Sequence, residues 1–256
     1  MTLTDEPAGA RRPRSNGALV ALAGLSVLLT TALIGLGVWQ LERRAWKLDL
    51  IARVEQRVHA SPVAPPGPGA WAGVNAERDA YRRVRVTGML DGGNETFVQA
   101  VTEQGPGFWV LTPLRTDRGF TVLVNRGFVP PEQRDPAARP MDRSSGPASI
   151  VGLLRTSEPR GGFLRANDPT RGRWYSRDVQ AIARARGLPN VAPYFIDADA
   201  TPNPGGWPRG GLTVIRFPNS HLVYAFTWFG LALMMAGAGV YLIIDEHRFR
   251  LAMLEA

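Results

Sequence analysis

Two runs without a charged residue, Gly17 to Trp39 and Leu222 to Ile244, limit what this 256-residue chain can become. At about 1.5 Å per residue each gives a helix of roughly 35 Å, enough to cross a hydrocarbon core about 30 Å thick. Buried helices of a soluble core are usually shorter and keep a polar stripe, and neither run has one. Arg11, Arg12 and Arg14 precede the first run as a basic region precedes a signal peptide. An apolar signal core is typically only about 7–15 residues long, so the run reads as an uncleaved anchor. The expected layout is a tail over residues 1–16, a first span over 17–41, a β-rich domain over 42–221, a second span over 222–244 and a tail over 245–256.

An even number of spans puts both termini on one side of the bilayer and the long middle segment on the other. The short N-terminal arginine cluster is expected to stay in the cytoplasm, which sends the middle segment out. With Asp5 and Glu6 ahead of the first span, a transit peptide is not expected, and the chain is assigned to a bacterial plasma (inner) membrane with a periplasmic main domain. Residues 42–221 hold 25 Lys and Arg against 17 Asp and Glu, so the formal charge of +8 lies wholly in that segment. A domain tethered beside a bilayer meets anionic head groups or an acidic membrane partner, and no nucleic-acid partner is expected; solubility alone accounts for the excess equally well. The absence of cysteine excludes disulfides, thiolate metal sites and covalent haem attachment.

After Trp39 the segment Glu42 to Arg57 keeps Trp46, Leu50 and Val54 at a four-residue spacing, which predicts that the first helix continues as an amphipathic extension until the Pro-rich stretch 61–69. Beyond Tyr81 the texture becomes that of strands. Val84–Leu90, Thr96–Val101, Phe108–Leu114 and Phe120–Val129 are separated by glycine-containing turns and predict an antiparallel meander. Further strands are expected at Ile150–Leu154, Tyr194–Ile196 and Leu212–Phe217. One helix is expected over Asp178–Arg186, with Gly187 just past its end. The fold class is therefore α+β: two transmembrane helices flanking an antiparallel sheet with one or two helices.

Catalytic signatures are missing. The three histidines, His59, His221 and His247, form no zinc-binding pair, and G-x-S-x-G, Walker and dinucleotide-binding motifs are absent. The chain is expected not to be an enzyme; a membrane-tethered hydrolase would need an acid, base or nucleophile set that the sequence does not offer. One constellation stands out at the start of the second span, where His221, Tyr224, Ala225 and Trp228 share a helical face. Such a histidine is either a polar end-cap of the helix or, as a neutral imidazole, a ligand for haem iron, with Ala225 leaving room for the ring and Arg216 available to a propionate.

Several segments resemble, in order and spacing, the surfeit locus protein 1 family of cytochrome c oxidase assembly factors. These are Gly37-Val-Trp-Gln-Leu41 running into Arg43, Arg44 and Lys47; Leu123-Val-Asn-Arg-Gly-Phe-Val-Pro130; and Asn219, His221, Tyr224-Ala225 and Thr227-Trp228. Weaker agreement includes Gly152-Leu-Leu-Arg155, Phe195-Ile-Asp197 and Gly211. The resemblance implies a role in maturing the haem-copper oxidase by receiving haem a and assisting its insertion into subunit I, with haem a synthase as a second partner. It implies His221 alone as the iron ligand; Tyr224, Trp228 and Arg216 are candidate haem contacts from their place beside it on the helix and in the chain. A cofactor-free scaffold holding an oxidase intermediate is the alternative. Asn125 and Arg126 are candidates for partner contact, and equally for a structural turn in which Arg126 pairs with an acid.

Overall fold

The computed structural model describes residues 13–142, 144–162, 164–215 and 217–255. The chain divides into a helical unit, residues 1–51 with 217–256, and a sheet unit, residues 52–216. The elements run α1 (Asn16–His59), α2 (Ala76–Asp79), β1 (Arg83–Leu90), β2 (Thr96–Thr102), β3 (Gly105–Thr116), β4 (Thr121–Val129), β5 (Gly146–Thr156), α3 (Val179–Ala185), β6 (Val191–Ala198) and α4 (His221–Glu255).

In the helical unit, α1 and α4 are both long and apolar enough to cross a membrane. Their large apolar side chains, among them Val27, Leu28, Phe226 and Leu233, point outward and stay exposed. A soluble core helix would bury that surface, and lipid is the solvent in which it need not be buried. The charged stretch after Trp39 stays helical as far as His59.

In the sheet unit the strand order is β1-β5-β6-β4-β3-β2, and β1 also pairs with β3, so five strands close into a ring with β2 beside it. The α+β class holds, with one feature that the strand pattern alone did not suggest: β4 and β6 run parallel while the other pairs are antiparallel. The meander is confined to β2, β3 and β4. Strand alternation distributes the core over two faces. Val122 and Val124 of β4 join Tyr194 and Ile196 of β6 in one cluster, with Val84, Val86 and Phe120. Leu123 and Phe195 turn the other way, against Val179 and Ile182 of α3 and Trp174. All nine residues of β4 are buried, as expected of a strand covered on both sides.

The helix α3 starts where its cap is. The carboxylate of Asp178 accepts from the backbone N–H of Ala181, and Gly187 beyond the end adopts φ 61°. The strand expected over 212–217 is not formed: residues 212–215 and 217 lie outside any strand. No ladder pairing reaches these residues among the described ones. The hydroxyl of Thr213 bonds the carboxylate of Asp197 instead, at 3.0 Å.

Candidate functional site

Gln40 lies near the end of the uncharged part of α1, two residues before Glu42. Residues three apart share a helical face, so Gly37 and Gln40 both turn toward α4. A Cβ at Gly37 would lie 2.5 Å from the ring of Phe229, so glycine is what lets the two helices approach there. Gln40 is only 9% exposed, and its Oε1 lies 2.8 Å from Nδ1 of His221. Farther along, the Ser26 hydroxyl donates to the carbonyl of Met235 at 3.2 Å. At the other end Glu246 accepts from the backbone N–H of Arg14 at 2.9 Å and from the guanidinium of Arg250 at 3.2 Å. The contacts run 40 to 221, 37 to 229, 26 to 235 and 14 to 246, which is the order of an antiparallel pair.

His221 is the first residue of α4 and is partly buried. Tyr224 is 55% exposed and Trp228 partly so, whereas Ala225 is 1% exposed. The expectation that Ala225 leaves room for a ring is therefore corrected. At about 100° per residue it lies only about 40° round the helix from His221, in the packed seam that also holds Ala232, whereas Tyr224 lies about 60° to the other side, on the open flank of this end of the helix. Arg216 lies outside the described residues. The Oδ1 of Asn219, two residues before His221, is buried without a hydrogen-bond partner among the described residues. An unpaired buried acceptor costs about 1–3 kcal/mol, so the Asn219 amide oxygen is available to a donor just ahead of α4.

The donor set fits haem rather than a bare metal ion. Among the described residues no group of three His, Cys, Asp or Glu could hold an ion, whereas haem iron needs as little as one imidazole. Gln40 engages one ring nitrogen and leaves Nε2 for a ligand.

The sheet unit carries a second polar centre, and residues from separate sequence motifs meet in it. Asp197 accepts from Asn125 at 2.7 Å, Arg155 at 3.0 Å, Arg177 at 3.1 Å and Thr213 at 3.0 Å. These residues and Trp109 line a cavity of about 170 Å³. Glu158 chelates Arg177 through both carboxylate oxygens, at 3.0 and 2.6 Å. Burial works against the charge on Glu158, but the hydrogen bonds and charge of Arg177 outweigh it and hold the carboxyl below its ordinary range. Arg177 is held above its ordinary value in turn, burial being outweighed by Asp197 and Glu158. Each carboxylate here is engaged by guanidinium, which suits it to fastening strands and ill suits it to proton transfer.

Neighbours on a strand face opposite ways, so Asn125 and Arg126 part company. Arg126 is 3% exposed and meets Glu95 at 3.3 Å, Asp142, and Asn203 at 3.2 Å. Arg139 bonds the same two acids, at 2.9 Å to Glu95 and 2.5 Å to Asp142, which closes a ring of two cations and two anions. Gly127 completes the motif with φ 130°; a Cβ there would collide with the backbone of Arg209, to which Phe128 is bonded in both directions. Both Asn125 and Arg126 thus engage groups inside the unit, and the residues completing the motif's ion ring, Glu95, Arg139 and Asp142, carried no sequence signal beyond being charged.

Comparison with known proteins covers both centres. A profile of the SURF1 family matches residues 27–233, which span Gln40, the whole sheet unit and His221. The chain belongs to the SURF1 family. It is 37% identical over 223 residues to the human protein named Surfeit locus protein 1, covering 80% of this chain and 72% of that one. The rat protein of the same name is 38% identical over 213 residues, 77% of this chain and 67% of its own length. A SURF1-like protein of Monosiga brevicollis is 35% identical over 254 residues, 93% of this chain and 92% of that one.

Proposed function

We propose that this chain is a non-enzymatic assembly factor for haem-copper cytochrome c oxidase, which receives haem a at His221 and assists its delivery to subunit I. Family membership supports the oxidase role. The observation that supports haem handling is the arrangement of His221, with one nitrogen held by Gln40, Tyr224 and Trp228 on its open flank and an orphaned acceptor on Asn219 beside it. A neutral imidazole is a haem ligand, aromatic side chains offer apolar contact to the macrocycle, and a position at the mouth of an apolar helix lets propionates stay near water. A single protein ligand also suits a carrier that must release its cargo. In this reading the protein lies in a bacterial inner membrane with the sheet unit in the periplasm, and its partners are subunit I, haem a synthase and the lipid bilayer.

Protein purified after co-expression with haem a synthesis should show a Soret band. His221→Ala should shift or abolish it, and Tyr224→Phe should keep it. An unchanged spectrum in His221→Ala would sink the ligand assignment, and unmodified protein without haem would favour a cofactor-free scaffold.

A further inference from the structure

The uncharged end of α1 contains a buried amide that the family resemblance quotes without giving it a task. Gln40 is 9% exposed, in a helix whose neighbouring surfaces face lipid. Burying an amide there is unfavourable unless it is hydrogen-bonded, and its bond is to a residue 181 positions away, Nδ1 of His221 at 2.8 Å. A helix pair that needed only packing would place an alanine or leucine at this position, as it places Gly37 one turn earlier.

The chemistry of the bond is directional. With Oε1 of Gln40 turned toward the ring, the amide oxygen accepts and Nδ1 of His221 carries the proton. A neutral imidazole protonated on Nδ1 has its lone pair on Nε2, and the ring is also fixed in rotation about its Cβ–Cγ bond. Histidines that bind iron or zinc commonly have this second partner, which sets the tautomer, aims the ligating nitrogen and raises its basicity. We infer that Gln40 is a positioning residue: it holds His221 as the Nδ1–H tautomer and presents Nε2 toward the flank of Tyr224 and Trp228. This rests on the reading of His221 as a haem ligand, but the tautomer is a property of the protein alone and is measured without haem.

The test uses full-length protein in lipid nanodiscs, labelled with ¹⁵N-histidine. With His59, His221 and His247 as the only histidines, the imidazole signals can be assigned by replacing each in turn. Long-range proton–nitrogen correlation at a pH where the ring is neutral should show His221 protonated on Nδ1. Gln40→Met, which keeps the length and volume of the side chain but removes the acceptor, should convert His221 to a tautomer mixture. Gln40→Glu keeps an acceptor at the same reach and should keep the proton on Nδ1. Titration with haemin should then show binding about 10–100-fold weaker for Gln40→Met, the usual effect of removing such a partner. An Nε2–H tautomer in the parent, or an unchanged tautomer in Gln40→Met, overturns the inference. Haemin binding that is indifferent to His221→Ala overturns the ligand reading instead, and the tautomer measurement tells the two failures apart.

Discussion

Replacing Arg126 by alanine probes a cluster of four buried charges in the sheet unit. The side chains of Arg126, Arg139, Glu95 and Asp142 are each 1–4% exposed and together electrically neutral. Without Arg126 the cluster keeps one excess negative charge away from water, and Asn203 and Asp142 lose donors. Breaking a buried pair from one side costs about 3–5 kcal/mol, mostly the penalty of the charge left behind. A unit of this size loses about 2–4 °C of Tm per kcal/mol, so the expected fall is roughly 6–20 °C. Near-UV circular dichroism of the full-length protein in detergent measures it. Arg126→Ala combined with Asp142→Ala leaves Arg139 and Glu95 as a neutral pair and should recover part of the loss. A single variant melting within about 2 °C of the parent would refute the argument, because the ring would then be open to water and Arg126 available to a partner. Cellular abundance separates the two roles: a partner contact lowers oxidase maturation in protein that accumulates normally, and a structural ring lowers abundance first.

The helix pairing is testable because the chain has no cysteine. Ser26→Cys with Gly239→Cys, whose Cβ would lie 3.0 Å from that of Ser26, should form a disulfide on oxidation. Gly37→Leu should reduce that cross-linking, with Phe229→Ala restoring it; absence of any cross-link would contradict the pairing. For orientation, the stretch at Pro65 is a poor insertion point, since Pro65 is buried and its carbonyl accepts from Arg118. A reporter active only in the cytoplasm, placed between the exposed Glu103 and Gln104, should be silent; activity there reverses the topology. Stability should also fall in acid. Burial pushes the Asp79 carboxyl up, but the Asn75 backbone and the guanidinium groups of Arg82 and Arg78 outweigh it and hold it below its ordinary 3.8. A carboxyl lowered by folding contributes stability above that value, and the contribution is lost as pH drops through the lowered pKa. Asp79→Asn should therefore be less stable than the parent at neutral pH, and the gap should close below about pH 4; a gap independent of pH would rule out the ionised carboxylate as the cause.

Much of the architecture was legible because it is encoded over short windows. The two long apolar helices follow from length and the absence of charge. The strands β1 to β4 follow from alternation and glycine turns, and α3 follows from Asp178 and Gly187 at its ends. His221 stood out because a histidine at the mouth of an apolar helix is conspicuous in one dimension.

Other features depend on which distant faces meet. The parallel pairing of β4 with β6, the lack of a ladder pairing at residues 212–215, and the place of Ala225 in the helix seam are results of packing. So are the partners of buried polar groups. Gln40 and His221 lie 181 residues apart, and Arg126 finds Glu95 and Asp142 from 31 and 16 residues away. Local sequence specifies whether a segment can be a helix or a strand, because that preference is set by backbone sterics and hydrophobic period within a few residues. It does not specify which buried donor meets which acceptor, because that pairing is chosen only when desolvation forces every polar group in the packed interior to find a partner.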